Sequence, residues 1–94
     1  MYGSLFRMRP KQGMAQQLRD TMMGNERRQA GMKTAYLLTE DAGGDVWGFA
    51  VFESEEQYRA NAKDPAQDAE YQKFRALIEA DPEWHDGAIV QRPD

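Results

Sequence analysis

The sequence has no cysteine and one histidine among its 94 residues, and these two scarcities limit the chemistry open to it. Without cysteine the chain forms no disulfide, no thiolate metal site and no cysteine nucleophile. The lone imidazole of His85 excludes an intrachain metal site that needs two histidines. The sequence also lacks a glycine-rich phosphate loop, a Ser-His-Asp arrangement and an EF-hand. We therefore expect no metal and no cofactor.

The sequence also has fewer basic than acidic residues and lacks long apolar runs. Lysine and arginine number 12 against 16 acidic residues, which gives a formal net charge of −4 at pH 7. This balance argues against nucleic acid or an anionic membrane as a partner. The mean hydropathy is −0.86, no stretch suits a bilayer span, and the first residues do not have the pattern of a signal peptide. We expect a cytoplasmic protein.

The length fits one domain, residues 1–94. A chain of this size buries only about 60–65% of the surface that its unfolded form exposes. Its core is therefore marginal, and a second copy of the chain would add burial.

The order of the predicted elements is strand, helix, strand, strand, helix, strand. Strands are predicted over residues 2–9, 32–39, 46–52 and 84–91, and the first helix over residues 11–29. This order is typical of the ferredoxin-like α+β fold, a four-stranded antiparallel sheet with two helices on one face.

The first helix is predicted from a stripe of side chains at helical spacing, and Gly31 is expected to follow the end of the helix. Its members are Met14, Leu18, Thr21 and Met22. Gly24 is expected inside this helix, and the cations Arg27 and Arg28 suit its C-terminal end.

The second helix is predicted to be broken near Lys63. A capping box at Ser54 and Gln57 starts its first piece, and Asp64 followed by Pro65 starts the second. The second piece is expected to continue to Asp81. Its predicted buried stripe consists of Tyr71, Phe74, Leu77 and Ile78.

Both faces of the third strand carry large apolar groups. Alternation places Trp47, Phe49 and Val51 on one face and Val46, Ala50 and Phe52 on the other. Two helices cover only one face, so a monomer would expose an apolar patch. We expect that face to form a homodimer interface.

The third strand also suggests an RNA-binding alternative. Residues 45–52 match the aromatic and glycine positions of the RRM motif, but Asp45 and Val46 replace its basic residue and first glycine. Glu40 and Asp41 add negative charge where phosphate binding needs positive charge. Nucleic acid is therefore the weaker interpretation.

Four segments together resemble the antibiotic biosynthesis monooxygenase-like family of the dimeric α+β barrel superfamily. They are Phe6-Arg7-Met8-Arg9-Pro10, Ala30-Gly31-Met32, Val51-Phe52-Glu53-Ser54-Glu55-Glu56 and Glu83-Trp84-His85-Asp86-Gly87-Ala88-Ile89-Val90. The resemblance implies a homodimer in which two sheets pack face to face, with a ligand pocket between the sheet and helices of each subunit.

The same resemblance implies a function. Some members oxygenate quinol-like or polyketide aromatics without metal or flavin, so we expect a hydrophobic or aromatic small molecule as ligand. The candidate pocket residues are Trp47, Phe49, Tyr58, Tyr71, Phe74 and Trp84. His85 is the candidate catalytic base, because histidine is the side-chain type best suited to proton transfer near neutral pH. The alternative is a non-catalytic ligand-binding or interaction module. Haem degradation is disfavoured, because the predicted helices carry no histidine.

Overall fold

The computed structural model describes residues 1–24 and 31–93. The strands are β1 (Tyr2–Met8), β2 (Met32–Thr39), β3 (Val46–Phe52) and β4 (Glu83–Ala88). The helices are α1 (Ala15–Met23), α2 (Glu55–Ala62) and α3 (Pro65–Arg75). The strands form one antiparallel sheet in the order β2-β3-β1-β4. This confirms the predicted ferredoxin-like α+β arrangement, with the second helix divided into α2 and α3.

The strand register separates the sheet into an inner face, under the helices, and an outer face. Phe6 lies between Gly48 of β3 and Trp84 of β4, and all three belong to the inner face. The core lies between this face and helices α1 and α3. Its buried members are Phe6, Met8, Leu18, Val46, Phe74 and Ile78.

The predicted break in the second helix is confirmed. Ser54 caps α2, since its hydroxyl accepts a hydrogen bond from the Gln57 backbone N–H at 3.2 Å. The helix ends at the C-cap Lys63. Asp64 then caps α3 by accepting from the Ala66 backbone N–H at 2.9 Å, and Pro65 occupies the first helical position.

The first helix is shorter than predicted. The prediction of residues 11–29 is wrong at its start, because Gly13 has φ of +80° in a turn and the helix begins at Ala15. Gly24 is the C-cap of α1 rather than an interior residue. The predicted continuation over residues 25–29, with Arg27 and Arg28, lies outside the described residues.

The predicted ends of α3 and β4 also need correction. Helix α3 ends at Arg75 because the chain beyond it pairs with the segment that follows β1. Lys11 donates its backbone N–H to the carbonyl of Leu77 at 2.9 Å, and Glu79 donates to the carbonyl of Arg9 at 2.9 Å. Strand β4 runs from Glu83 to Ala88 instead of over residues 84–91.

Candidate functional site

A cavity of about 310 Å³ lies between the inner face of the sheet and the helices, and we call it the interior cavity. Its sheet wall consists of Ser4, Phe6, Ala35, Ala50, Phe52 and Trp84. Met32, at the start of β2, completes the sheet side, and the opposite side is lined by Thr21, Met22, Met23, Tyr58, Asn61, Gln67, Glu70 and Phe74. Its volume and largely apolar lining, with a few polar groups, are those of a small-molecule site.

Two hydroxyl groups of the interior cavity converge on one carboxylate. Ser4 Oγ donates to Asp86 Oδ1 at 2.6 Å, and Tyr58 Oη donates to Asp86 Oδ2 at 3.1 Å. Ser4 and Asp86 are direct partners in the β1–β4 register, so the strand pairing itself places them side by side. Ser4 is only 2% exposed, which makes it a buried polar group with a satisfied hydrogen bond.

Aromatic neighbours hold the Tyr58 ring against the sheet. Its centroid lies 5.3 Å from the ring of Phe52, edge to face, and 5.3 Å from the ring of Tyr2. Burial raises the pKa of the Tyr58 phenol, and the neighbouring Asp86 raises it further against an opposing contribution from Ser4. Tyr58 is therefore a protonated hydrogen-bond donor at neutral pH.

An ion pair lies on the helix side of the cavity. Glu70 is 22% exposed in its side chain and accepts a hydrogen bond from Lys73 Nζ at 3.0 Å. The ammonium group of Lys73 thus balances the charge of the Glu70 carboxylate at the cavity wall.

The outer face of the sheet carries a separate apolar hollow of about 490 Å³, which we call the outer hollow. It is lined by Leu5, Tyr36, Leu38, Trp47, Gly48 and Phe49. Tyr36 is 62% exposed and Leu38 59% exposed, although both are large residues within strand β2. The predicted apolar patch is therefore present.

An ion network borders the outer hollow. Asp45 is 7% exposed and accepts hydrogen bonds from Arg7 Nε and, at 3.4 Å, from Arg9 Nε. The hydrogen bond from Arg7, followed by its charge, lowers the pKa of the Asp45 carboxyl against the opposing effect of burial. Glu40 closes the adjacent loop by accepting from the Asp45 backbone N–H at 2.7 Å and from Trp47 Nε1 at 3.1 Å.

The structure divides the predicted pocket residues between two surfaces. Tyr58, Phe74 and Trp84 line the interior cavity. Tyr71 lies behind them, with its ring centroid 5.1 Å from Phe74 and 6.4 Å from Trp84. Trp47 and Phe49 line the outer hollow instead.

His85 also belongs to the outer face. It pairs with Leu5 across the β1–β4 ladder, and its Nε2 lies 3.6 Å from Glu83 Oε1. Its neighbour Asp86 points to the opposite face, as expected for consecutive strand residues. His85 therefore does not meet a molecule bound in the interior cavity.

Sequence reasoning missed Ser4 and Asp86 as members of the site. The signal available was a small polar residue, Ser4, in an inward alternation otherwise made of Tyr2, Phe6 and Met8. Its partner Asp86 lies 82 positions away and is identified only once the strand register is known.

The described residues provide neither a cluster of metal-ligating side chains nor a membrane-spanning helix. Within residues 1–24 and 31–93, no group of three or more histidine, cysteine, aspartate or glutamate side chains lies close enough together to hold a metal ion. None of the helices in this part of the chain is long and apolar enough to cross a membrane.

This chain matches known proteins only in the comparison with solved structures. No protein-family model matches the sequence, and no curated protein matches it either. A variant of SnoaB, a cofactor-independent oxygenase from Streptomyces nogalater, superimposes with a TM-score of 0.82 at 19% identity, over 97% of this chain and 94% of that chain.

Two further solved structures are similar. A candidate antibiotic biosynthesis monooxygenase from Chloroflexus aurantiacus has a TM-score of 0.81 at 21% identity, over 99% of this chain and 96% of that chain. A monooxygenase from the gene ActVA-Orf6 of Streptomyces coelicolor, in complex with nanaomycin D, has a TM-score of 0.77 at 20% identity, over 97% and 92%. The resemblance inferred from the sequence is confirmed at the level of the fold: this chain has the α+β fold of the antibiotic biosynthesis monooxygenases.

Proposed function

We propose that this protein is a homodimer that binds a hydrophobic aromatic molecule in the interior cavity and oxygenates it without a cofactor. The observation that carries the proposal is the pair of hydroxyls, Ser4 and Tyr58, held by Asp86 at the wall of a largely apolar cavity. The similar fold of a cofactor-independent oxygenase supports the reaction class. Quinol- and anthrone-type aromatics are the substrates that suit it.

The chemistry needs a substrate rich enough in electrons to react with O₂ itself. For an anthrone, the ring methylene loses two hydrogens and gains one oxygen atom as a carbonyl, and the second oxygen atom leaves in water. The substrate supplies all the electrons, so atoms and electrons balance without an external reductant. The protein must orient the ring, exclude water and assist removal of the first proton.

The residues of the interior cavity can do each of these tasks. The aromatic rings of Phe6, Phe74 and Trp84 offer flat apolar contact to a planar ligand. Tyr58 and Ser4 offer hydrogen bonds to a ligand hydroxyl, and the Asp86 carboxylate behind them is the nearest group to receive a proton through Tyr58. The assignment of His85 as the base stays a prediction, and it applies to a ligand on the outer face.

A second copy of the chain is proposed to cover the outer hollow. Leu5, Tyr36 and Leu38 are 39%, 62% and 59% exposed there, beside the rings of Trp47 and Phe49. Covering this face would bury the large apolar groups that the helices do not reach. The dimer would then provide the burial that a chain of 94 residues lacks.

The test is oxygen uptake by the full chain with 1,8-dihydroxyanthrone and a panel of quinols, against the rate in buffer. We expect uptake above buffer, and we expect Tyr58→Phe to lower it by about 10-fold or more. His85→Ala separates the two faces: an unchanged rate supports the interior cavity, and a lost rate supports the prediction for His85.

Binding is measured in parallel from the amide chemical shifts of the full chain. The titrated ligand is 1,8-dihydroxyanthraquinone, the oxidation product of the anthrone. Shifts at Ser4 and Tyr58, rather than at Tyr36 and Leu38, support the interior cavity as the site. Binding without oxygen uptake from any member of the panel contradicts the enzyme and supports the non-catalytic alternative. The absence of both binding and uptake overturns the proposal.

A further inference from the structure

Three of the six methionines of the chain line the interior cavity, and we call them the cavity methionines. Met22 and Met23 lie in the last turn of α1. Met32 opens β2 and pairs with Phe52 of the sheet wall. The methionines that do not line the cavity are Met1, Met8 and Met14. Half of the thioether groups of the chain are therefore gathered at one site.

The cavity methionines differ from the methionine of the core in their access to solvent. Met23 is 60% exposed, and Met22 and Met32 are half-buried. Met8, in contrast, is only 1% exposed. Because oxidation of a thioether requires contact with the oxidant, a small oxidant in water reaches the cavity methionines far more readily than it reaches Met8.

The thioethers belong to the apolar part of the cavity lining. A methionine side chain is flexible and polarisable, and its sulfur makes favourable contacts with aromatic rings. Oxidation adds an oxygen atom to the sulfur and makes the side chain polar. A sulfoxide placed against an apolar ring loses its hydrogen bonds to water and gains none from the ring, so the contact becomes unfavourable.

We propose that the cavity methionines are an oxidation site, and that conversion of their thioethers to sulfoxides weakens ligand binding in the interior cavity. The oxidant is hydrogen peroxide or an organic hydroperoxide. Its O–O bond breaks, the sulfur gains one oxygen atom and loses two electrons, and the other oxygen atom leaves in water or in an alcohol. A methionine sulfoxide reductase reverses the change with electrons from a thiol.

The proposal rests on the proposed function for its ligand and for a local source of oxidant. A quinol that passes two electrons and two protons to O₂ gives the quinone and hydrogen peroxide. Peroxide formed in this way in the interior cavity meets the thioethers that line it. The resulting loss of affinity limits further binding of quinol, so oxidation of the cavity methionines restrains a reaction that releases peroxide.

The test treats the full chain with hydrogen peroxide, at a dose that leaves Met8 intact, and locates the sulfoxides by peptide mass spectrometry. We expect Met22, Met23 and Met32 to oxidise at least about 10-fold faster than Met8. Saturation with 1,8-dihydroxyanthraquinone should slow the reaction at Met22 and Met32 but not at Met14, which does not line the cavity. The affinity for this ligand, measured by equilibrium dialysis, should fall by about 10-fold on oxidation.

Leucine variants identify the methionines responsible, since leucine has nearly the volume of methionine and carries no sulfur. In the triple variant Met22→Leu, Met23→Leu, Met32→Leu, peroxide should leave the affinity at the value measured before treatment. Met14→Leu is the matched control, and it should lose affinity on oxidation as the parent does. Treatment of the oxidised parent with methionine sulfoxide reductases should restore its affinity, which tests the same point without a substitution.

The outcomes separate this proposal from the function on which it rests. Sulfoxides at the cavity methionines with unchanged affinity overturn the proposal, while ligand binding stands. A triple variant that loses affinity as the parent does also overturns it, and so does an affinity that stays low after the sulfoxides have been reduced. If the untreated chain does not bind the anthraquinone, the proposed function fails, and the loss of affinity proposed here fails with it.

Discussion

The ring of Phe6 occupies the space above the α-carbon of Gly48, its direct partner in the β1–β3 register. A Cβ at position 48 would overlap three atoms of that ring. Because Phe6 is part of the buried core, the ring has little room to move. We expect Gly48→Ala to lower the free energy of unfolding by about 1–3 kcal/mol, measured by urea denaturation.

Gly87→Ala is the matched control for this prediction. Gly87 also lies within a strand, but a Cβ built there meets nothing within 4 Å. Alanine restricts the unfolded chain more than glycine does, so this variant should be neutral or slightly more stable. Equal losses in the two variants would mean that glycine itself, rather than contact with Phe6, explains the effect.

Helix α3 shows why some boundaries of the fold could not be predicted. The caps at Ser54 and Asp64 are local, since each side chain bonds a backbone N–H two or three residues away, and the sequence predicted both. The end of α3 at Arg75 depends instead on the pairing of Ile78 with Pro10, a contact between distant segments. The stripe of Leu77 and Ile78 fits a longer helix equally well, so periodicity alone does not locate the end.

The candidate site was predicted in part for the same reason. Alternation along β3 correctly separated Trp47 from Phe52, because facing direction in a strand depends only on parity. Which face holds a cavity depends on how the helices pack over the sheet, and so aromatic residues from both faces were grouped together. The pair of Ser4 and Asp86 required the β1–β4 register, which no local pattern encodes.

The Asp45 network predicts a loss of stability in acid. Because Arg7 lowers the pKa of Asp45 in the folded chain, the charged carboxylate favours folding above the unfolded value of about 3.9. This contribution is complete above that pH and is lost as the pH falls through the lowered folded pKa. Asp45→Asn should therefore flatten the acid side of a stability profile, followed by thermal unfolding between pH 7 and about pH 2.

The two arginines of this network should differ in their effects at neutral pH. Arg7 bonds Asp45 more closely than Arg9 does, and its side chain is 42% exposed against 67% for Arg9. Arg9→Gln should therefore cost well under 1 kcal/mol, as is usual for an exposed ion pair. Arg7→Gln should cost clearly more. The reverse order would contradict the assignment of Arg7 as the main partner of Asp45.

Tyr58 predicts a corresponding loss of stability in alkali. Its pKa is raised in the folded chain, first by burial, so its protonated form favours folding below the unfolded value of about 10. As the pH rises through the folded pKa, this contribution is lost. Tyr58→Phe cannot ionise and should show a shallower decline between about pH 9 and pH 12, followed by urea denaturation at each pH. A decline as steep as that of the parent would contradict the prediction.

The exposure of Leu38 supports a direct test of the proposed dimer. Leu38 is 59% exposed on the outer face, in the same cross-strand row as Trp47 and Arg7. If a second copy covers this row, Leu38→Glu places a carboxylate from each copy in an apolar interface, where desolvation is costly. Sedimentation velocity over a concentration series should show a dimer for the parent and a dissociation constant at least about 10-fold higher for the variant.

Ala69→Glu provides the control for that experiment. Ala69 is exposed on α3, on the opposite side of the sheet from the outer hollow, so the same charge is added away from the proposed interface. This variant should sediment like the parent. Equal weakening by both variants would indicate a general effect of net charge. A parent chain that stays monomeric at micromolar concentration would remove the second copy from the proposal, and the exposed row of Tyr36 and Leu38 would then need a different occupant.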